Sequence, residues 1–306
     1  MPMVKPRVAV LLAAYNGMRW IEQQLASIQA QHQVDVTIFI SVDLSSDDTQ
    51  AWCEGYARQH SNAQVLASPG RLGGAGRNFF RLFRDVDISP FDFIALSDQD
   101  DLWHPDKLQR ATEYLLFSEP QAYSSNVTAF WPDGRRRLLD KAQPQVAWDH
   151  LFEAAGPGCT YVLAAPLASA FKVHLCAHWD AAQAITLHDW FIYAFARSHG
   201  YGWYIDSRPG LDYRQHPHNQ VGANVGLKSL LQRLSRIRDG WWFGQVALIS
   251  QLIGRPWAVL PGNGNLSRRT LLALFSYATQ CRRRRRDQWM FRLACLLATF
   301  TAGYEG

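Results

Sequence analysis

A continuous apolar run near the N-terminus, Val8–Ala14 (VAVLLAA), ends abruptly in the trio Tyr15-Asn16-Gly17. A strand without polar alternation is one covered on both faces, which is the setting of a parallel sheet between helices. Helical spacing follows at Ile21, Leu25 and Ile28 within Met18–Gln31, then a second, β-branched strand at Val34–Val42 (VDVTIFISV). Asp43-Leu44-Ser45-Ser46-Asp47 supplies capping chemistry ahead of a helix over Thr49–His60. This alternation predicts an α/β fold with a doubly wound, mainly parallel sheet flanked by helices.

The pattern continues with a short strand near Gln64–Ala67, a Gly-rich turn at Gly70–Gly76, a helix around Asn78–Phe83 and a fourth apolar strand, Phe91–Leu96 (FDFIAL). Ser97–Asp101 (SDQDD) stands at the C-terminal end of that strand. Open α/β sheets bind ligands outside the carboxyl ends of their strands, and Tyr15, Asp43 and Asp98–Asp101 all fall on that edge. Beyond Pro120 the reading gives strands near Ala122–Thr128 and Thr160–Ala164, a turn at Pro132-Asp133-Gly134, a loop at Gly156-Pro157-Gly158, and helices near Pro166–His174 and Asp189–Ser198. From Leu227 the chain reads as helical segments broken at Gly254–Pro256 and Pro261–Gly264. A boundary near residue 222 is expected to divide a main domain, 1–222, from a helical C-terminal extension, 223–306.

With 48% hydrophobic and 19% charged residues among 306, the chain can bury a large core, which excludes global disorder. The net charge of +5 is concentrated in Arg135–Arg137 and Arg282–Arg286, so it calls for local explanations. No nucleic-acid recognition motif accompanies it, and no nucleic-acid partner is expected. The five cysteines are widely spaced without a CxxC pair, which suits a reducing cytosol. No stretch reaches the roughly 18 apolar residues of a membrane span, and the first apolar run lacks a cleavage-site pattern. A cytoplasmic location is therefore expected.

The carboxylates of SDQDD repel one another, and a divalent cation offsets that repulsion. Mg or Mn takes carboxylate and phosphate oxygens, which such a cluster and a phosphorylated ligand supply together. The alternative is a capped loop leading into the next helix. Asp43 reads as a helix N-cap or as a carboxylate facing a ligand at the same edge; Tyr15 reads as a packed aromatic or as a ring stacked on a nucleobase. The turn with Gly70, Gly73, Gly74 and Gly76 has neither dinucleotide nor P-loop spacing, which favours a mononucleotide site of another kind. Arg71 and Arg77 beside it are either phosphate contacts or solvated side chains.

The order AAYNG, SVDLSSDDT, Gly-rich turn with Asn78-Phe79, and LSDQDDLWHPDKL resembles the nucleotide-sugar domain of family 2 glycosyltransferases, which are inverting enzymes of GT-A fold. The resemblance covers roughly residues 7–222. It implies that Tyr15, Asn16 and Asp43 contact the nucleotide, with Asp98 near the ribose and Arg71 and Arg77 near phosphate. It implies that Asp100 and Asp101 hold Mg or Mn, with His216 of YRQHPHNQVG as a further ligand. Where the family commonly has DDGS, this chain has Val42-Asp43-Leu44-Ser45. The wording SDQDDLW with YRQHPHNQVG is similar to rhamnosyltransferases that use dTDP-L-rhamnose. The expected reaction is transfer of L-rhamnose from dTDP-β-L-rhamnose to a hydroxyl of a bacterial cell-surface glycan such as lipopolysaccharide core or O-antigen. The alternatives are a UDP-sugar donor or a sugar-nucleotide nucleotidyltransferase.

The family places its catalytic base in an acidic pair at a helix start. Here His188-Asp189-Trp190 stands at that place, so the resemblance makes Asp189 the base; read alone, Asp189 is equally an N-cap. The loop carrying Gly158, Cys159 and Thr160 precedes it, and with His188 and Trp190 it is expected to meet the acceptor, although a plain turn explains its glycines too. Arg282–Arg286 followed by Trp289, Met290, Phe291, Leu293, Leu296 and Leu297 reads either as an interfacial segment drawn to anionic lipid or as a solvated arginine face beside a core helix. The first reading predicts a lipid-linked saccharide acceptor and attachment to the inner face of the cytoplasmic membrane.

Overall fold

Every side chain of β1 (Arg7–Ala14) from Val8 onward is buried, and the strand lies inside a seven-stranded sheet. The computed structural model describes residues 4–68, 70–216, 240–254 and 267–301. β1 pairs in parallel with β2 (Asp35–Val42) on one side and β4 (Phe93–Ser97) on the other. With β3 (Ala63–Val65), β6 (Ala122–Ser125), β9 (Val162–Ala164) and β10 (Trp203–Asp206) the order is β10-β6-β9-β4-β1-β2-β3. All pairs are parallel except those of β9, which runs antiparallel to both β4 and β6. The expected mainly parallel α/β sheet is thus present, with one reversed strand that periodicity does not reveal.

Because successive strand residues point to opposite faces, β1 feeds two cores. Val8, Val10 and Leu12 pack with α1 (Ile21–Gln29), α2 (Thr49–Gln59) and α4 (Lys107–Phe117). Ala9 and Leu11 pack with α3 (Ala75–Asp85), α5 (Ala165–Ala177) and α7 (His188–Ser198). α3 alone contributes Phe79, Phe80, Leu82 and Phe83, all fully buried. A short helix, α6 (Trp179–Ala182), links α5 to the turn before α7.

Two expectations need correction. The first helix starts at Ile21 and not at Met18, because the carbonyl of Gly17 accepts from the N–H groups of both Trp20 and Ile21 in a preceding turn. The strand expected over Ala122–Thr128 divides at Asn126. β6 stays in the main sheet, while β7 (Val127–Phe130) joins β5 (Leu102–Trp103), β11 (Leu211–Arg214) and β8 (Arg136–Leu139) in a second sheet ordered β5-β11-β7-β8. Asn126 is buried and fully used at the break. Its Nδ2 donates to Asp140 and to the Ser207 carbonyl, and its Oδ1 accepts from the N–H groups of Lys141 and Ala142.

The C-terminal helices α8 (Trp241–Leu252), α9 (Arg268–Ser276), α10 (Ala278–Cys281) and α11 (Arg285–Thr301) pack on the sheet domain. Phe243, Val246, Leu271, Leu274 and Phe291 belong to the same core as Phe152 and Phe191. The expected boundary near residue 222, the Pro217–Gly222 end of the YRQHPHNQVG segment, the helical reading over 227–239 and the break over 261–264 lie outside the described residues. Among the described residues no helix is long and apolar enough to cross a membrane.

The arginine run is pinned to the domain at its first half. The Arg283 side chain is 1% exposed, its Nε 3.4 Å from Glu153 and 3.6 Å from Asp149. Its Nη2 donates to the Ala154 carbonyl at 2.6 Å, and Arg282 donates to the Phe152 carbonyl at 2.7 Å. Asp149, which also accepts from Tyr193 Oη at 2.8 Å, is subject to burial, which acts to raise its pKa; hydrogen bonding from His150 and the charges of Arg283 and Arg197 outweigh this and lower it.

Candidate active site

One side chain holds both backbone polar groups of Tyr15 in the loop after β1. Gln99 Oε1 accepts from the Tyr15 N–H at 2.7 Å and Gln99 Nε2 donates to the Tyr15 carbonyl at 2.8 Å, and Tyr15 as a residue is 54% exposed. Asn16, at φ 47°, is tied to the next loop: its N–H donates to Ser45 Oγ and its Oδ1 accepts from the Ser46 N–H. Asp43 caps no helix. Its carboxylate accepts from the N–H groups of Leu44 and Leu72, each at 2.7 Å, and of Gly73 at 2.9 Å, so it clamps the Gly-rich turn. A carboxylate offers about four acceptor positions, which leaves about one for a ligand. Gly73 and Gly74, at φ 84° and 154°, adopt backbone that only glycine tolerates readily, and so bring the turn against Asp43. Arg71 is exposed on the cavity wall. Arg77 is turned away from it, donating to the carbonyls of Gln183 and Leu72, so it supports the turn from behind.

The acidic edge separates into two sides. Asp100 faces the cavity, and His216 Nε2 lies 2.7 Å from its Oδ2 while the imidazole stacks on Trp20 at 4.2 Å. Asp98 also reaches the cavity wall. Asp101 does not. It is fully buried behind the edge, where its Oδ1 accepts from the Arg214 N–H, and its ligand atoms lie within 4.8 Å of those of Asp98 and Cys159. Burial, and then the charges of Asp100 and Asp189, raise Asp98 to about 7; burial, and then Asp100 and Asp98, raise Asp101 well above an ordinary carboxyl. Cys159 is raised as well, by burial and by both aspartates, so it remains a thiol. The donors facing the cavity, Asp100 Oδ2 and His216 Nε2 with Asp98, suit Mg or Mn completed by phosphate oxygens.

Asp189 opens α7, and its Oδ1 accepts from the Trp190 N–H at 2.8 Å. Burial raises its pKa to about 6, opposed by the Trp190 N–H and by Lys141. A carboxylate of that kind is mostly ionised at neutral pH yet more basic than a solvated one, as a general base requires. His188 lines the same cavity with its ring stacked on Phe79 at 4.0 Å, and burial lowers its pKa to about 3, so it is neutral. Gly158 and Trp190 also reach the wall, the Trp190 indole N–H being anchored on the His150 carbonyl. Cys159 and Thr160 are fully buried beneath the loop, with Thr160 Oγ1 donating to the Pro157 carbonyl, and do not reach it.

Tyr15, Asp43, Arg71, Asp98, Asp100, His216 and Asp189 thus border one cavity of about 1600 Å³ at the carboxyl edge of the sheet. A family model described as "Glycosyltransferase like family 2" matches residues 6–205. The chain belongs to this family of glycosyltransferases. The transferase is 48% identical over 243 residues to the dTDP-rhamnosyl transferase RfbG of Shigella flexneri, covering 79% of this chain and 84% of that protein. It is 31% identical over 148 residues to the amylovoran biosynthesis glycosyltransferase AmsB of Erwinia amylovora, covering 47% and 43% of the two chains. The fold is similar to that of S. aureus TarS 1-349 in complex with UDP-GlcNAc (TM-score 0.54, 12% identity, 97% and 89% coverage). It is also similar to the mannosyltransferase PcManGT of Pyrobaculum calidifontis in complex with GDP-Man and Mn2+ (TM-score 0.51, 14% identity, 99% and 89% coverage).

Sequence reasoning missed several residues of the transferase's cavity. Gln99 lies inside the SDQDD motif, and its amide pattern was the available signal. Arg137 and Lys141 line the wall, as do Trp242, Arg284, Arg286 and Phe291 from the C-terminal helices. Nothing local in the sequence directs a C-terminal arginine run toward the ligand edge of an N-terminal sheet.

Proposed function

We propose that this glycosyltransferase moves L-rhamnose from dTDP-β-L-rhamnose to a hydroxyl of a bacterial cell-surface glycan, such as lipopolysaccharide core or O-antigen, with inversion to an α-linkage. The observation that carries the donor is the 48% identity to a dTDP-rhamnosyl transferase over most of both chains. Inversion is supported by Asp189, a carboxylate at the cavity wall poised to take one proton.

In this reading the Tyr15 ring and the last acceptor position of Asp43 meet the base, Asn16 and Gln99 hold the loop around it, and Arg71 meets phosphate. Asp189 takes the proton of the acceptor hydroxyl as that oxygen bonds to the anomeric carbon. The bond from the anomeric carbon to dTDP breaks, and dTDP departs with the electron pair through an oxocarbenium-like transition state. Asp100 and His216, with Asp98, would hold Mg or Mn, which would neutralise charge on the departing diphosphate. Gly158, His188 and Trp190 shape the floor on which the acceptor sits.

A cytoplasmic enzyme attached to an anionic membrane face fits α11. Trp289, Leu293, Leu296 and Leu297 are exposed along it, next to exposed Arg285 and Arg286. Co-sedimentation with phosphatidylglycerol vesicles, and not with phosphatidylcholine vesicles, is the expected result.

The test of the donor is turnover. dTDP release from dTDP-β-L-rhamnose with a lipid-linked saccharide fraction as acceptor is expected, with none from UDP-glucose. Turnover of UDP-glucose in place of dTDP-rhamnose would remove rhamnose from the account.

A further inference from the structure

A cavity of about 1600 Å³ exceeds the roughly 300–1,000 Å³ usual for one small ligand, so room remains once a nucleotide sugar is seated. The nucleotide end is bordered by Tyr15, Asp43 and Arg71. The wall away from these residues carries the cations Arg137, Lys141, Arg284 and Arg286, with the acids Asp140, Glu153 and Asp287 among them. Lys141 is close enough to Asp189 for its charge to act on that carboxylate, and the charge of Asp189 in turn acts on Asp98.

These cations are not consumed by the fold. Among the described residues neither Arg137 nor Lys141 has a carboxylate within 4 Å, whereas Arg282 and Arg283 are bound to Glu153 and to backbone carbonyls. Among the described residues Arg284 has one carboxylate within 4 Å, Asp140 at 3.8 Å, and Arg286 one, its neighbour Asp287 at 3.5 Å, with the Arg286 side chain 70% exposed. A pair whose arginine stays largely in solvent holds weakly. The nearby acids are committed elsewhere, Asp140 to Asn126, Ala142 and Gln143, and Glu153 to the Arg283 N–H. Burial depresses Lys141 to about 8, which an anion beside it would reverse.

We propose that the wall of Arg137, Lys141, Arg284 and Arg286 is a subsite for a phosphate or diphosphate carried by the acceptor. This rests on glycosyl transfer at Asp189. Met290 and Phe291 continue the wall from the arginines, so an alkyl chain esterified to that phosphate has an apolar path out of the cavity.

The test keeps the donor end filled. Octyl phosphate, below its micelle concentration, is titrated into the full chain saturated with dTDP and Mn2+, with octyl glucoside as the uncharged control. Saturable binding of octyl phosphate is expected, at least tenfold tighter than octyl glucoside and at least tenfold weaker in Lys141→Met and in the doubly substituted Arg284→Gln/Arg286→Gln, with dTDP affinity retained. The surface double variant guards against a folding defect in Lys141→Met. Glucose 1-phosphate identifies the source. Binding equal to octyl phosphate assigns the anion to a phosphorylated sugar, and weaker binding assigns it to a lipid phosphate. Displacement of octyl phosphate by dTDP, equal binding of octyl glucoside, or wild-type affinity in both variants would overturn the subsite. A failure of dTDP itself to bind would count against the donor reading instead, and octyl phosphate titrated without nucleotide would still report on the wall.

Discussion

His188 Nε2 occupies the space a side chain on Gly158 would need: a β-carbon built on Gly158 would lie 2.5 Å from that nitrogen and 3.2 Å from Asp189 Cβ. The imidazole cannot retreat, because it is buried and stacked on Phe79. Gly158→Ala should therefore displace the loop or the start of α7, costing about 1–3 kcal/mol of stability and at least tenfold in transfer rate. Denaturant midpoints and single-turnover rates check both.

Asp189→Asn should lower kcat by about 10²–10⁴, the range for loss of a positioned general base, while dTDP affinity is unchanged. With a pKa raised to about 6, Asp189 is ionised above that pH, as the proposed base must be, and protonated below it. The wild-type rate should thus fall as pH drops through about 6, and the residual rate of the variant should lack that limb. A folded-state pKa above the unfolded value means that charging Asp189 at neutral pH works against folding, so Asp189→Asn should be at least as stable as wild type. Rate–pH profiles and melting curves decide both.

Gln99→Ala removes both hydrogen bonds that hold the Tyr15 backbone. At about 0.5–1.5 kcal/mol each, their loss should raise the donor KM by roughly tenfold while leaving kcat close to wild type. Steady-state kinetics with varied donor distinguishes this from a general loss of fold, which would lower the active fraction and so kcat.

Much of this was legible in the sequence because it rests on short-range pattern. Val8–Ala14 and the FDFIAL run announced buried strands, and their polar ends announced the ligand edge that carries Tyr15, Asp43, Asp98 and Asp100. The break at Asn126 was not legible, since a residue whose amide bonds four groups from two other segments looks like any polar residue inside a strand. Nor was the division of SDQDD into a cavity side with Asp100 and a buried side with Asp101, which depends on what packs behind the bend: Gln24, Cys159 and Arg214. The sequence around Asp43 suits a cap or a base contact alike, whereas its carboxylate binds N–H groups of the Gly-rich turn 29 and 30 residues away, a pairing no local pattern carries. The arginine run was ambiguous because charge density says nothing of destination; Arg283 enters the core between two acids while Arg286, three positions on, stays exposed.

Arg283→Met would leave Asp149 and Glu153 without their buried cation. Removing one partner of a buried ion pair costs about 3–5 kcal/mol, and a loss of that size in the urea-unfolding free energy is expected. Asp149 is held below its ordinary pKa, so its contribution is present at neutral pH and is lost as pH falls through the acid range below the unfolded value. The gap between wild type and Arg283→Met should accordingly narrow toward pH 3.

The central claim is a metal-assisted dTDP site at Asp100 and His216, and thermal stabilisation by nucleoside diphosphates tests it most directly. Melting curves with dTDP, UDP, GDP or CDP, each with and without Mn2+, should show a shift for dTDP that requires the metal and is absent in Asp100→Ala. A shift that is independent of metal, that persists in Asp100→Ala, or that appears with UDP or GDP and not with dTDP would contradict the account.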